Sequence, residues 1–272
     1  MKILILSIIL FSLSVIYYSC GDNSVTPKNE EPTSNNYVKV VTAENGNLKF
    51  EIWSATASFL RIGYNKIGFK VFENNQEKNS GFVKFFPKMY HWLNSPMHSS
   101  PVKERYNYVD TVGMFTGYAI FTMQSDTSSF WYGFYNFNDL LFLDSALFNV
   151  QIYQGLQIKI FVDNQTAADY LITLIKPYSP AQGFNTFQCM LHRTSDDIHY
   201  EQVDDAQMYI MPWMPTMLHG SSNNVDPVHI GEGIYEGTAN FNMPGEWYVY
   251  DTVYYQNRKI TPNIPPKFTF NP

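Results

Sequence analysis

The feature that most constrains this chain is an internal echo. The segment Gly113-Met114-Phe115-Thr116-Gly117-Tyr118-Ala119-Ile120-Phe121-Thr122-Met123 is answered by Gly233-Ile234-Tyr235-Glu236-Gly237-Thr238-Ala239-Asn240-Phe241-Asn242-Met243, each residue 120 positions further on. Met97 and Met217 keep the same interval, and His98 and His219 lie 121 apart. A Met- and Pro-containing stretch precedes each histidine, Pro87-Lys88-Met89-Tyr90-His91 or Met211-Pro212-Trp213-Met214-Pro215. A tryptophan, Trp131 or Trp247, follows each glycine–aromatic segment. Repetition at this interval implies two copies of one folding unit within 272 residues.

Composition indicates which kind of unit. Aromatic residues reach 17% and charged residues only 15%, a balance suited to pleated, half-buried strands. The mixture that fills helices is missing. Stretches with strand character, such as Leu48–Trp53 and Ile67–Phe72 early and Tyr170–Ile175 and Phe184–Leu191 late, are separated by turn formers such as Glu73-Asn74-Asn75-Gln76. Roughly seven short strands per unit predict an all-β protein of two tandem immunoglobulin-like β-sandwich domains, at 37–145 and 146–272. A barrel is the alternative closure. Arg193–Asp205 reads as an insertion that lengthens one hairpin, and the Pro-rich tail Thr261–Pro272 as an extended edge segment.

The N-terminus reads as an address. Met1-Lys2 supplies positive charge, Ile3–Tyr18 is uncharged and mostly apolar, and Ser19-Cys20-Gly21 follows. Residues 1–19 are expected to be a bacterial lipoprotein signal peptide, Cys20 the acylated residue, and 20–36 a flexible tether. The folded part is then expected in the cell envelope, anchored to a membrane (the outer one by preference) through lipid on Cys20, and facing periplasm or exterior. Cys189 is the other cysteine. With Cys20 acylated no internal disulfide is available, and alternation places Cys189 on the inward face with Phe187 and Leu191. A net charge of −6 provides no basic footprint, so nucleic acid is not an expected partner.

Two clusters could carry chemistry: Met89, His91, Met97 and His98, and then Met214, Met217 and His219. Thioether and imidazole together select copper. Zinc would call for Cys, His and carboxylate, and calcium for an oxygen cage. In an extended segment i and i+2 share a side, so Met89 could converge with His91, and Met217 with His219. The competing reading is packing, since methionine is a common core filler. Met123 and Met243, at strand ends, are expected in the core, as are Trp131 and Trp247. His192 and His199 flank Asp196-Asp197 and are expected at a solvated hairpin tip, with His229 on the surface. No phosphate loop, HExxH helix, GxSxG turn or facing carboxylate pair is present, so no catalysis is expected.

Met211-Pro212-Trp213-Met214-Pro215-Thr216-Met217-Leu218-His219-Gly220, followed by Gly233 to Trp247, resembles the YtkA-like (FixH-like) domain. Pro87-Lys88-Met89, Met97-His98, Gly113–Met123 and Trp131 look like a diverged copy, in which Tyr90-His91-Trp92 replaces the second Pro-x-Met step. The resemblance implies small immunoglobulin-like sandwiches of exported or membrane-attached bacterial proteins, with relatives linked to copper handling and respiratory oxidase assembly. The reading that results is a non-catalytic copper-binding lipoprotein whose partner is a copper-requiring or other envelope protein. The alternative is a structural or interaction lipoprotein without metal, using aromatics such as Tyr90, Trp92 and Trp213 as anchors.

Overall fold

The computed structural model describes residues 37–55, 58–91, 96–139, 144–148, 150–151 and 157–272. The expected signal (1–19), tether (20–36) and acylation site Cys20 lie outside the described residues, as does Trp92. Among the described residues there is no helix. The first half contains β1 (Val38–Asn45), β2 (Leu48–Ser54), β3 (Leu60–Arg61), β4 (Gly63–Glu73), β5 (Gln76–Glu77), β6 (Phe82–His91), β7 (Pro96–Ser99), β8 (Tyr106–Val109), β9 (Met114–Phe121), β10 (Ser129–Phe137), β11 (Asp144–Phe148) and β12 (Val150–Gln151). The second contains β13 (Ile158–Val162), β14 (Asp169–Lys176), β15 (Gly183–Thr194), β16 (Glu201–Gln202), β17 (Gln207–Met214), β18 (His219–Gly220), β19 (Val225–Gly231), β20 (Ile234–Phe241), β21 (Trp247–Tyr255), β22 (Arg258–Lys259) and β23 (Lys267–Phe270).

In the second half the sheet β13-β14-β15-β20-β19 faces the sheet β18-β17-β21 with β23 beside β21. Period-2 alternation along these strands aims one side of each at a shared core that includes Ile172, Phe187, Met208, Phe241, Trp247 and Phe268. The first half builds the same two layers, but β8 pairs with both β9 and β6, so the order β1-β2-β4-β9-β8-β6-β10-β11 is continuous. Its two ends meet, β1 lying beside β11. This half therefore stands between an open sandwich and a barrel. Its separate core includes Phe50, Phe69, Phe85, Phe115, Trp131 and Tyr135.

The sequence echo is matched in register. Gly63 pairs with Phe121 as Gly183 pairs with Phe241, and Trp131 with Phe148 as Trp247 with Phe270. Asn65 and Asn185 make the same clamp: the amide oxygen accepts from Arg61 or Ala181 N–H at 2.8 or 2.9 Å, and the amide N–H₂ donates back to the same residue's carbonyl at 2.7 Å. Gly117 and Gly237 are obligatory for close approach. A Cβ there would lie 2.5 Å from the Tyr106 ring or 2.4 Å from the Val225 carbonyl oxygen. The strand β11 runs across the expected boundary at 145/146 and pairs with β10. The Pro-rich tail does form an edge strand, with Phe268 and Phe270 buried.

A third apolar cluster joins the halves, with Tyr118 and Ile120 from β9 against Ile175 and Met190 from β14 and β15. Here one expectation is corrected. His192 is not at a solvated tip but 1% exposed, because β15 carries it past the core and into this junction. Its Nε2 lies 3.1 Å from the Tyr118 hydroxyl. Gln202 donates its N–H to Asp204 at 2.7 Å, which leaves its oxygen to accept from Tyr118 at 2.9 Å. Tyr118 has then used its one proton, so His192 Nε2 carries a proton and donates to it. His199, in contrast, is exposed at the tip and bonded to Asp196 at 2.6 Å.

Candidate metal centres

The site begins with strand register. β7 folds back on β6 so that Met89 and His98 are cross-strand partners, and β18 folds back on β17 so that Met214 and His219 are. Directly opposed residues on one face of an antiparallel pair bring their Cβ atoms to about 4.5–5.5 Å. Met89 and Met214 are buried, at 0% and 2% exposure. Met89 is also the cross-strand partner of Trp131 in β10. The His98 ring meets the Trp131 ring edge-on at 5.1 Å, and His219 meets Trp247 at 6.0 Å. Both indoles are pinned by donating N–H to the carbonyl of Met123 or Met243, at 3.0 and 2.9 Å.

Each histidine is oriented by its own neighbour. His98 Nδ1 lies 3.0 Å from the Ser99 carbonyl oxygen, and His219 Nδ1 lies 2.9 Å from that of Gly220. A carbonyl only accepts, so Nδ1 is the protonated nitrogen and Nε2 carries the lone pair in the neutral ring. His98 Nε2 is buried and has no hydrogen-bond partner among the described residues. A buried imidazole lone pair left without a donor, with its opposite nitrogen tied to a carbonyl, fits a metal-ligating histidine. Among the described residues no three or more His, Cys, Asp or Glu side chains gather into a group that could hold an ion. The side chain paired with each histidine across the strands carries a thioether sulfur, the donor class that favours copper.

The remaining candidates are placed differently. β6 stays extended to His91, which is half-buried and pairs with Ser129, so Met89 and His91 share a side as expected. Met97 lies on β7, and its side chain is outside what the structure describes. The convergence expected of Met217 with His219 through extended backbone does not occur. Met217 N–H donates to the Met214 carbonyl at 3.3 Å in a turn, Leu218 has φ of +53°, and Met217 is 56% exposed. Met123 is 45% exposed rather than core, while Met243 packs against the second core. Cys189 is buried, as alternation requires. Cross-strand pairing of each methionine with its histidine was missed from sequence, because it depends on how the chain folds back over the eight residues between Met89 and His98 and the four between Met214 and His219; the signal available was the unequal spacing itself.

The two centres differ in cover. On β7, Ser99 N–H donates to the Asp197 carbonyl at 2.8 Å, so the hairpin tip inserted between β15 and β16 reaches across the junction to the strand that carries His98. Ser99 is buried, whereas its counterpart Gly220 is exposed.

Among solved structures, domains 5–6 of the S-layer protein SbsC align with 87% of this chain and 98% of that one, at 10% identity and a TM-score of 0.24, too slight a likeness to carry an argument. No curated protein matches the chain. A family model does match: residues 164–250, which hold the Met214–His219 turn and the Gly233–Met243 segment, are similar to the YtkA-like family.

Proposed function

We propose that this is a non-catalytic copper-binding protein made of two YtkA-like units, the first a diverged copy of the second. Each unit takes copper through one cross-strand pair, Met89 with His98 and Met214 with His219. Met217, exposed on its turn, acts as an entry ligand at the second centre, and His91 and Met97 are the further donors at the first. The reading is completed by export, acylation at Cys20, and delivery to or from a copper-requiring envelope protein.

One observation carries it: in both halves a histidine whose Nδ1 is occupied by the next carbonyl stands opposite a methionine, and in the first half its Nε2 is buried without a partner. Anaerobic titration of the full chain with Cu(I) against a competing chromophoric chelator tests it. His98→Ala and His219→Ala should each remove one equivalent or weaken it by more than about tenfold, ligand loss being no milder than loss of an outer partner. A second reading rests on the burial of Met89 and Met214, which also suits an interaction protein whose methionines only fill the core. Copper uptake unchanged in both histidine variants would leave that reading standing.

A further inference from the structure

The core of the second half contains an anomaly that the cross-strand centres do not use. Asp251 sits on β21 between Val249 and Val253, both fully buried, and is itself 1% exposed. Neither of its carboxylate oxygens has a hydrogen-bond partner among the described residues. A carboxyl group buried in this way is costly, and natural cores seldom keep one without a reason. Its neighbours are soft donors. On the adjacent strand Asp251 pairs with Ile210, which puts Met208, two residues along and opposite Val253, at the diagonal position on the same inward face. From the facing sheet, the Cys189 thiol donates to the Met208 sulfur at 3.8 Å, and both residues are buried.

The fold does not demand this trio. At the corresponding register positions of the first half stand Phe69, Val83 and Tyr135. There the space is closed by rings, Phe69 edge-on to Tyr135 at 6.0 Å and Phe85 stacked on Tyr135 at 5.5 Å. The same sandwich thus closes with an aromatic core in one half and with thiol, thioether and carboxyl in the other.

We propose that Cys189, Met208 and Asp251 form an interior site for a soft monovalent cation, Cu(I) by the chemistry of its donors. Two sulfur ligands at about 2.3 Å from one ion and near the tetrahedral angle stand about 3.8 Å apart, the separation the two sulfurs already have. Uptake exchanges the thiol proton for the ion, one H⁺ leaving for each Cu(I) bound. Asp251 contributes a buried carboxyl oxygen that no hydrogen bond occupies among the described residues. The charges of the thiolate and Cu(I) then cancel one another. The site is closed to solvent, so the ion enters as the chain folds or when the sandwich opens.

The test is made on the full chain carrying Cys20→Ser, His98→Ala and His219→Ala, which removes the histidines of both cross-strand centres and the other thiol. The chain is refolded anaerobically with Cu(I) and separated from free ion. One equivalent of copper with near-ultraviolet Cu(I)–thiolate absorption is expected. Cys189→Ser should abolish it, and Met208→Leu, a nearly volume-conserving change, should weaken it by about tenfold or more. No bound copper after refolding, or uptake unaffected by Met208→Leu, overturns the proposal; that variant decides the matter if Cys189→Ser does not fold. The cross-strand and interior readings fail separately, because histidine-dependent equivalents are counted in the parent chain and cysteine-dependent ones in this background.

Discussion

Two buried titratable residues pull the stability of this protein in opposite directions with pH. Asp251 has its pKa raised by desolvation, so above the ordinary aspartate pKa the native state retains a proton that the unfolded chain releases. Its penalty is absent in strong acid and grows as pH rises. Asp251→Asn is therefore expected to stabilise the metal-free protein at pH 7, with the advantage vanishing near pH 4 in urea titrations. His192 behaves inversely. Desolvation lowers its pKa from 6.5 to about 3, so the unfolded chain takes up a proton that the native junction refuses. Stability tied to His192 is complete above pH 6.5 and is lost as pH falls toward 3. His192→Gln should flatten this acid limb, a difference visible in the pH dependence of the urea midpoint.

At the scale of elements, hairpin geometry decides the candidate centres. The turn after β17 exposes Met217, whereas on β7 Ser99 lies against the hairpin tip and donates its N–H to the Asp197 carbonyl. Replacing the tip 195–199 with a shorter turn should weaken copper binding at the His98 centre and leave the His219 centre unchanged, as read by titrating each centre with the other histidine removed. Strand packing makes a further demand at Gly237, where a Cβ would sit 2.4 Å from the Val225 carbonyl oxygen. Because the obstacle is backbone, Gly237→Ala should cost about 1–3 kcal/mol, the usual range for overpacking, measurable by chemical denaturation.

For the whole molecule, the junction between the halves is both apolar and polar. The Tyr118, Ile120, Ile175 and Met190 cluster provides non-directional burial. The His192–Tyr118–Gln202 chain and the Lys103–Glu232 ion pair at 2.5 Å set orientation. Lys103 and Glu232 are partly exposed, so that pair contributes little by itself. Tyr118→Phe leaves the buried His192 N–H without an acceptor, and the expected loss is about 1–3 kcal/mol. If the junction couples the halves, calorimetry of this variant should resolve two transitions where the parent has one.

Much of this molecule was written along the chain, because strand alternation and glycine–aromatic spacing are local properties. They marked an all-β fold, the inward position of Cys189 and the repeated methionine–histidine clusters, and the same period-2 pattern in Trp247-Tyr248-Val249-Tyr250-Asp251 already aimed Asp251 inward. What the chain could not specify by itself was which residues meet across strands and sheets. The pairing of Met89 with His98, the burial of His192 between halves, the reach of Asp197 to Ser99 and the contact of Cys189 with Met208 all join residues distant in sequence. Register and docking set those meetings, and both emerge only when turns of particular length and two apolar faces close on one another in three dimensions.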